Sequence, residues 1–138
     1  MRFADQRAAM KRILIALLLA FSLGAGWCGA QEAELFFNGV EAFRARDFAS
    51  AERWFETAAE QGDGDAQFLL GRMHYDGNSL TVNVVTAYQW FAIAAVSGVV
   101  VAPRYRDGLA RDMTEEQVAD GQRRADAWLA RFPPAAPR

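Results

Sequence analysis

A chain of 138 residues, 52% hydrophobic and 23% charged with a net charge near −2, has the composition of one small folded domain. Its single histidine and single cysteine exclude a Cys/His metal cluster and an internal disulfide framework. No basic run follows Arg12, which disfavours nucleic acid or an anionic membrane as partner.

The first segment reads as an export signal. Arg2, Arg7, Lys11 and Arg12 precede an uncharged run from Ile13 to Ala30, and Met10-Lys11-Arg12 would by itself make a compact signal start. A basic start, a short apolar centre and small residues at Cys28-Gly29-Ala30 describe a secretory signal peptide over residues 1–30, with Gln31 the first mature residue. A retained anchor is the alternative, since 18 uncharged residues reach the lower limit of a membrane span. Gly24, Gly26 and Gly29 soften its end, as a cleavage region requires, and Trp27 before Cys28 argues against a lipoprotein. Beyond Ala30, eleven arginines face sixteen acidic residues with no lysine, and no cysteine remains, so packing alone must hold the fold.

The first expected helix spans 33–45 and carries two apolar stripes. Leu35, Gly39 and Ala42 form a narrow one; Phe36, Val40 and Phe43 form the other. A second helix is expected over 49–61. Asp63 is placed to cap a third, about 64–75, in which Gly71 allows close approach. Asp76-Gly77-Asn78-Ser79 is a turn by composition, with Leu80 tucked inward from it. The fourth helix begins at Thr81 or Asn83 and runs to about Ser97. Pro103 fits the first turn of a fifth, through about Arg111. Thr114-Glu115-Glu116-Gln117 is a capping box that opens a sixth, to about Arg131, with Val118, Ala125, Trp128 and Leu129 inward. Pro133, Pro134 and Pro137 end the helical pattern and leave 133–138 as a flexible tail.

The second and fourth helices are copies of one pattern. AERWFETAAEQG at 51–62 and AYQWFAIAAVSG at 87–98 are offset by 36 residues. Ala51/Ala87, Trp54/Trp90, Phe55/Phe91, Ala58/Ala94, Ala59/Ala95 and Gly62/Gly98 are identical, and Ala66/Ala102 continue the register. Matches at spacings of three and four lie along one side of a helix. The paired alanines admit a neighbouring helix, the Trp-Phe pairs supply apolar area, and the glycines end the helices. Repetition at this period is typical of stacked helix pairs that cannot bury their apolar faces singly.

These residues, with AAEQGDGDAQFLLGRMHYDG at 58–77, resemble the Sel-one-like repeat family, a longer variant of the tetratricopeptide repeat. The resemblance is to the secreted bacterial type, and MTEEQVADGQRRADAWLA at 113–130 is similar to the closing helix of many bacterial members of the family. Val99-Val100-Val101 departs from the family, which places acidic or amide residues there. The resemblance implies an all-α fold, helix–turn–helix units stacked as a short right-handed α-solenoid over 31–132. It implies two to three helix pairs whose job is to bind other proteins.

Within that architecture the first helix of each pair lines a concave face. The resemblance thereby brings Phe36, Val40, Phe43 and Arg44 beside Phe68, Arg72 and Tyr75 as a partner-binding surface, rich in the residue types that dominate interface energy. For Phe36 and Phe43, packing inside the array is the competing reading. His74 is expected to be a half-buried packing residue, not a pH sensor or ligand contact. The carboxylates of Asp63-Gly64-Asp65 are expected to cap a helix, because the further oxygen ligands of a calcium loop are missing. No nucleophile–base pair or phosphate loop is present, so neither catalysis nor a cofactor or metal is expected. The expected protein is therefore a periplasmic or secreted adaptor, or a regulator of an envelope complex, holding another protein or peptide. An envelope hydrolase or ligand-binding enzyme subunit is the alternative.

Overall fold

The computed structural model describes residues 31, 33–77 and 81–134. The segment 1–30 read from sequence as a signal peptide, Asn78 to Leu80 of the turn, and the last four tail residues lie outside the described residues. Those described hold six helices and no strand. They are α1 (33–44), α2 (Phe48–Glu60), α3 (Gly64–Asp76), α4 (Val84–Val96), α5 (Ala102–Ala110) and α6 (Glu115–Arg131). Each expected helix is present, with its ends within one or two residues of expectation once Asn83, and not Thr81, is taken as the start of α4.

Local chemistry sets these ends. Asp47, Asp63, Asn83 and Thr114 each accept a backbone N–H from the first turn of α2, α3, α4 and α6, which satisfies a donor the helix itself cannot. At α6 the box is reciprocal: Thr114 Oγ1 accepts from Gln117 N at 3.2 Å, and Gln117 Oε1 accepts from Thr114 N at 2.9 Å. Among α2 to α6, only α5 starts without a side-chain cap, on Val101, and Pro103 in its first turn needs no donor satisfied.

The C-termini of α2 and α4 close identically. Asp63 N and Val99 N reach back to the carbonyls of Ala58 and Ala94, and Gly62 N and Gly98 N to Ala59 and Ala95. This double bond pattern needs a left-handed residue between, and Gly62 and Gly98 adopt φ of 94° and 90°. The end of α1 has the same pattern, Asp47 N to Ala42 O and Arg46 N to Phe43 O, but the left-handed place is held by Arg46 at φ 60°. A side chain there costs roughly 1–2 kcal/mol that glycine avoids.

Helix packing is fixed by three places where a backbone meets a ring. A methyl group on Gly39 of α1 would lie 2.5 Å from the Phe55 ring of α2, and one on Gly71 of α3 would lie 2.6 Å from the Phe91 ring of α4. A methyl on Gly121 of α6 would lie 2.6 Å from the Tyr88 ring of α4. One turn before the first two glycines, Phe36 and Phe68 meet the same rings at 5.8 and 5.6 Å between centroids, tilted by 49° and 46°. The first and second helix pairs are thus one packing unit used twice.

Between α3, α5 and α6, helix α4 is the centre of the core. Tyr88, Trp90, Phe91, Ala92, Ile93 and Ala94 are all buried, as expected of a helix apolar all round. Ala58, Ala59, Ala66, Ala94 and Ala102 have no exposed surface, which fits the close helix approach that their pattern implies. The two tryptophans of the repeat differ: Trp90 is 6% exposed under Trp128 of α6 at 5.6 Å, whereas Trp54 is 39% exposed. Gln67, buried in α3, donates to the Ala59 carbonyl at 3.2 Å and so ties α3 to the end of α2.

Two alanine substitutions separate packing from helix propensity. At Gly71 the backbone gains about 1 kcal/mol of propensity, but the methyl meets a fully buried ring, so Gly71→Ala should lower stability by a net 1–3 kcal/mol, roughly. At Gly108 of α5 a methyl meets nothing within 4 Å, so Gly108→Ala should raise stability by roughly 0.5–1 kcal/mol. Denaturant melts of the two variants beside the parent chain test this; equal midpoints would remove the glycine–ring contact as the determinant of packing.

Candidate partner-binding site

The seven expected partner-binding residues fall into two separate groups. Phe36 and Val40 pack against the core from α1, and Phe43 turns its edge to Phe48 at 5.4 Å while remaining 37% exposed. Arg44 is exposed and ion-paired with Glu41 at 3.0 Å. In the second group, Phe68 is partly buried against Phe91 and also meets Tyr105 edge-on at 5.0 Å. Arg72 pairs with Asp76 at 2.9 Å, one helical turn away, and Tyr75 is 49% exposed. Thus Phe36, Val40 and Phe68 act chiefly in packing, while Phe43, Arg44, Arg72 and Tyr75 face solvent. Among the described residues no ring contact joins the α1 group to the α3 group.

The α3 group continues into residues of α5. Tyr75 of α3 and Arg104, Tyr105, Gly108 and Leu109 of α5 surround a cleft of about 390 Å³. Phe91 of α4 and Val101 of the preceding turn complete its lining. Tyr105 is 40% exposed and stacks on Phe91 at 5.3 Å, so the rings of Phe68, Phe91 and Tyr105 brace one another beneath the cleft. Arg104 is the one charged side chain in that lining, and among the described residues it has no ion pair, unlike Arg72 and Arg106. A second, more open recess of about 530 Å³ lies between α4 and α6, where Tyr88, Met113 and Val118 meet Glu115 and Gln122.

Arg104 and Tyr105 are additions to the residues expected from sequence. The signal that could have found them is the Ala66/Ala102 register: continuing it by two and three positions maps Phe68 and Leu69 onto Arg104 and Tyr105. The valines ahead of α5 masked this, because they break the family pattern there. Val100 is 89% exposed and Val101 45%.

The remaining polar candidates have structural roles. Asp63 caps α3 through Ala66 N at 3.0 Å. His74 is mostly buried, with Nε2 at 3.2 Å from Glu52 Oε1 of α2. Burial holds its pKa below the ordinary 6.5, and the Glu52 carboxylate and a backbone bond at Thr81 pull the other way. Glu56, on the same helix as Glu52, has its pKa raised by loss of solvent and then by repulsion from Glu52 and Glu60. At the α2 cap, hydrogen bonds from the Ser50 side chain and backbone hold the Asp47 carboxyl below its usual range. Among the described residues no three His, Cys, Asp or Glu side chains cluster as metal ligands, and no helix is long and apolar enough to cross a membrane.

Helix pairs closed by glycine turns, repeated with the same ring contacts and ended by a closing pair, define an α-solenoid of helix–turn–helix repeats. The Sel1 repeat matches residues 23–63 and 64–98, more than half of the chain, and the chain belongs to the Sel1 repeat family. The first match opens inside the apolar segment read as a signal, and the second covers α3 and α4. Repeats of this family generally mediate protein–protein interaction. A search of curated proteins finds no match.

His74 titration tests the α2–α3 contact. A depressed histidine pKa means the unfolded chain binds more protons just below 6.5, so this group's contribution to stability is full above 6.5 and is lost as pH falls toward the folded pKa. The ring should titrate below 6.5 by NMR, and lower still in Glu52→Gln, which removes the main opposing charge. A midpoint at or above 6.5 would mean that Glu52, not burial, dominates.

Proposed function

We propose that the chain is an exported adaptor, or a regulator of an envelope complex, that acts by holding another protein or peptide and not by catalysis. The observation that carries this reading is the cleft between α3 and α5. It exposes two half-open tyrosines and an arginine without a carboxylate partner, over a braced aromatic floor. Tyrosine supplies large contact area at small entropic cost and arginine supplies directional bonding, and both concentrate binding energy at interfaces. Export rests on the pattern of residues 1–30. Export would put the mature protein in the periplasm or outside the cell.

Two measurements test the parts separately. Intact mass of protein recovered from the cell envelope should correspond to a chain beginning at or near Gln31; a mass that retains Ile13–Ala30 would make it membrane-anchored. For binding, in-cell crosslinking and mass spectrometry identify the partner, whose affinity is then measured. Tyr75→Ala should weaken it by about 2 kcal/mol, roughly 30-fold, with an unchanged circular dichroism melt because half of the ring is already in water. Full partner affinity in the folded variant would remove this face from the interface.

A further inference from the structure

The partner-binding reading can be taken to a class of ligand, because the cleft has one charge and one apolar floor. We infer that it receives the free C-terminus of a partner polypeptide, with the terminal carboxylate on the Arg104 guanidinium and an apolar last side chain against the exposed surfaces of Val101 and Tyr105. This rests on the reading of the protein as a partner-binding module.

Charge is the first ground. Arg72 is neutralised by Asp76 and Arg106 by Asp107, at 2.9 and 2.7 Å, whereas Arg104 keeps its charge and no carboxylate lines the cleft. The uncompensated group is of the kind that binds planar carboxylates through two parallel hydrogen bonds. An anion is therefore the complementary occupant, and a cationic or purely apolar segment is not.

Geometry selects the kind of anion. Val101 lies one turn before Arg104 and Tyr105 directly follows it, so cation and exposed apolar surface adjoin at the start of α5. In a C-terminal residue the carboxylate and the side chain branch from the same Cα and reach both subsites together. An internal Asp or Glu spends its side chain on the charge, and the next side chain of an extended peptide points the opposite way. A volume of about 390 Å³ suits one or two side chains, not a long stretch. Gly108, with nothing within 4 Å of the place a Cβ would occupy, leaves room for the ligand backbone, and Tyr75 and Tyr105 offer hydroxyls and ring edges.

The full chain, immobilised, should be panned against a display library of seven random residues ending in a free carboxylate, and enriched sequences synthesised as acids and as amides. The expected result is enrichment of apolar last residues, with affinity falling about tenfold or more on amidation and on Arg104→Ala. Arg111→Ala, outside the lining, should bind as the parent chain does, and circular dichroism melts establish that both variants fold. Equal binding of acid and amide, unchanged binding by folded Arg104→Ala, selection of internal acids with no preference at the last residue, or no enrichment would each overturn the inference. Crosslinked capture by the same variants separates the two readings. A partner held fully by Arg104→Ala but lost by Tyr75→Ala leaves the interaction module standing without a C-terminal ligand. A parent chain that captures no partner and enriches no peptide removes both.

Discussion

The structure depends on contact between bare backbone and an aromatic ring. Where Gly39 and Gly71 lie on Phe55 and Phe91, the distance between the two helices of a pair is set by the thickness of one ring. No other residue permits it, since even a methyl group would fall at about 2.5 Å from ring carbon. The contact also fixes the rotation of each helix, because the phenylalanine one turn earlier must meet the same ring. From this follow the alanine seams on α2 and α4, which could not close if the paired helices stood further apart. Gly121 against Tyr88 extends the device to the joint between α4 and α6, so the closing helix is seated by the same physics as the repeats.

That arrangement explains how the candidate site is made. Phe91 has one side occupied by Gly71 and Phe68, and Tyr105 of the following helix reaches it as well. The floor of the cleft is therefore a core residue of the second repeat, and its walls come from the first helices of the second and closing pairs. A surface built on a fully buried ring is stiff, and stiffness lowers the entropy lost when a ligand binds.

Much of the fold was legible in the sequence because its determinants are local. Gly62 and Gly98, the caps at Asp63 and Thr114, and the alanine pairs act within a few residues, and each is found in the place its pattern implied. What depended on neighbours distant in sequence was not legible. Trp54 and Trp90 are identical in the repeat, yet only Trp90 has a Trp128 to cover it. A glycine within the last helix gave no sign of Tyr88, which lies 33 residues earlier. Of the residues expected at a partner-binding surface, Tyr75 lines the cleft and Phe36 packs on the Phe55 ring. Phe43 meets Phe48 while keeping 37% of its surface exposed. Both ring contacts depend on the neighbouring helix and not on the stripe alone. Arg104 was concealed because the turn of exposed valines interrupts the pattern that would have carried the register forward.

Arg46 gives the array a direction. Three helix ends share one closing geometry, and only the first holds a side chain in the left-handed conformation, so the joint between α1 and α2 is closed with stored strain where the others are relaxed. In a stack whose members touch only their neighbours, the end member can detach without disturbing the middle. Opening of this protein should thus begin at the amino-terminal pair and progress toward α4, uncovering Phe55 before Phe91. A protease or chaperone would meet the first hinge while the cleft between α3 and α5 is still intact.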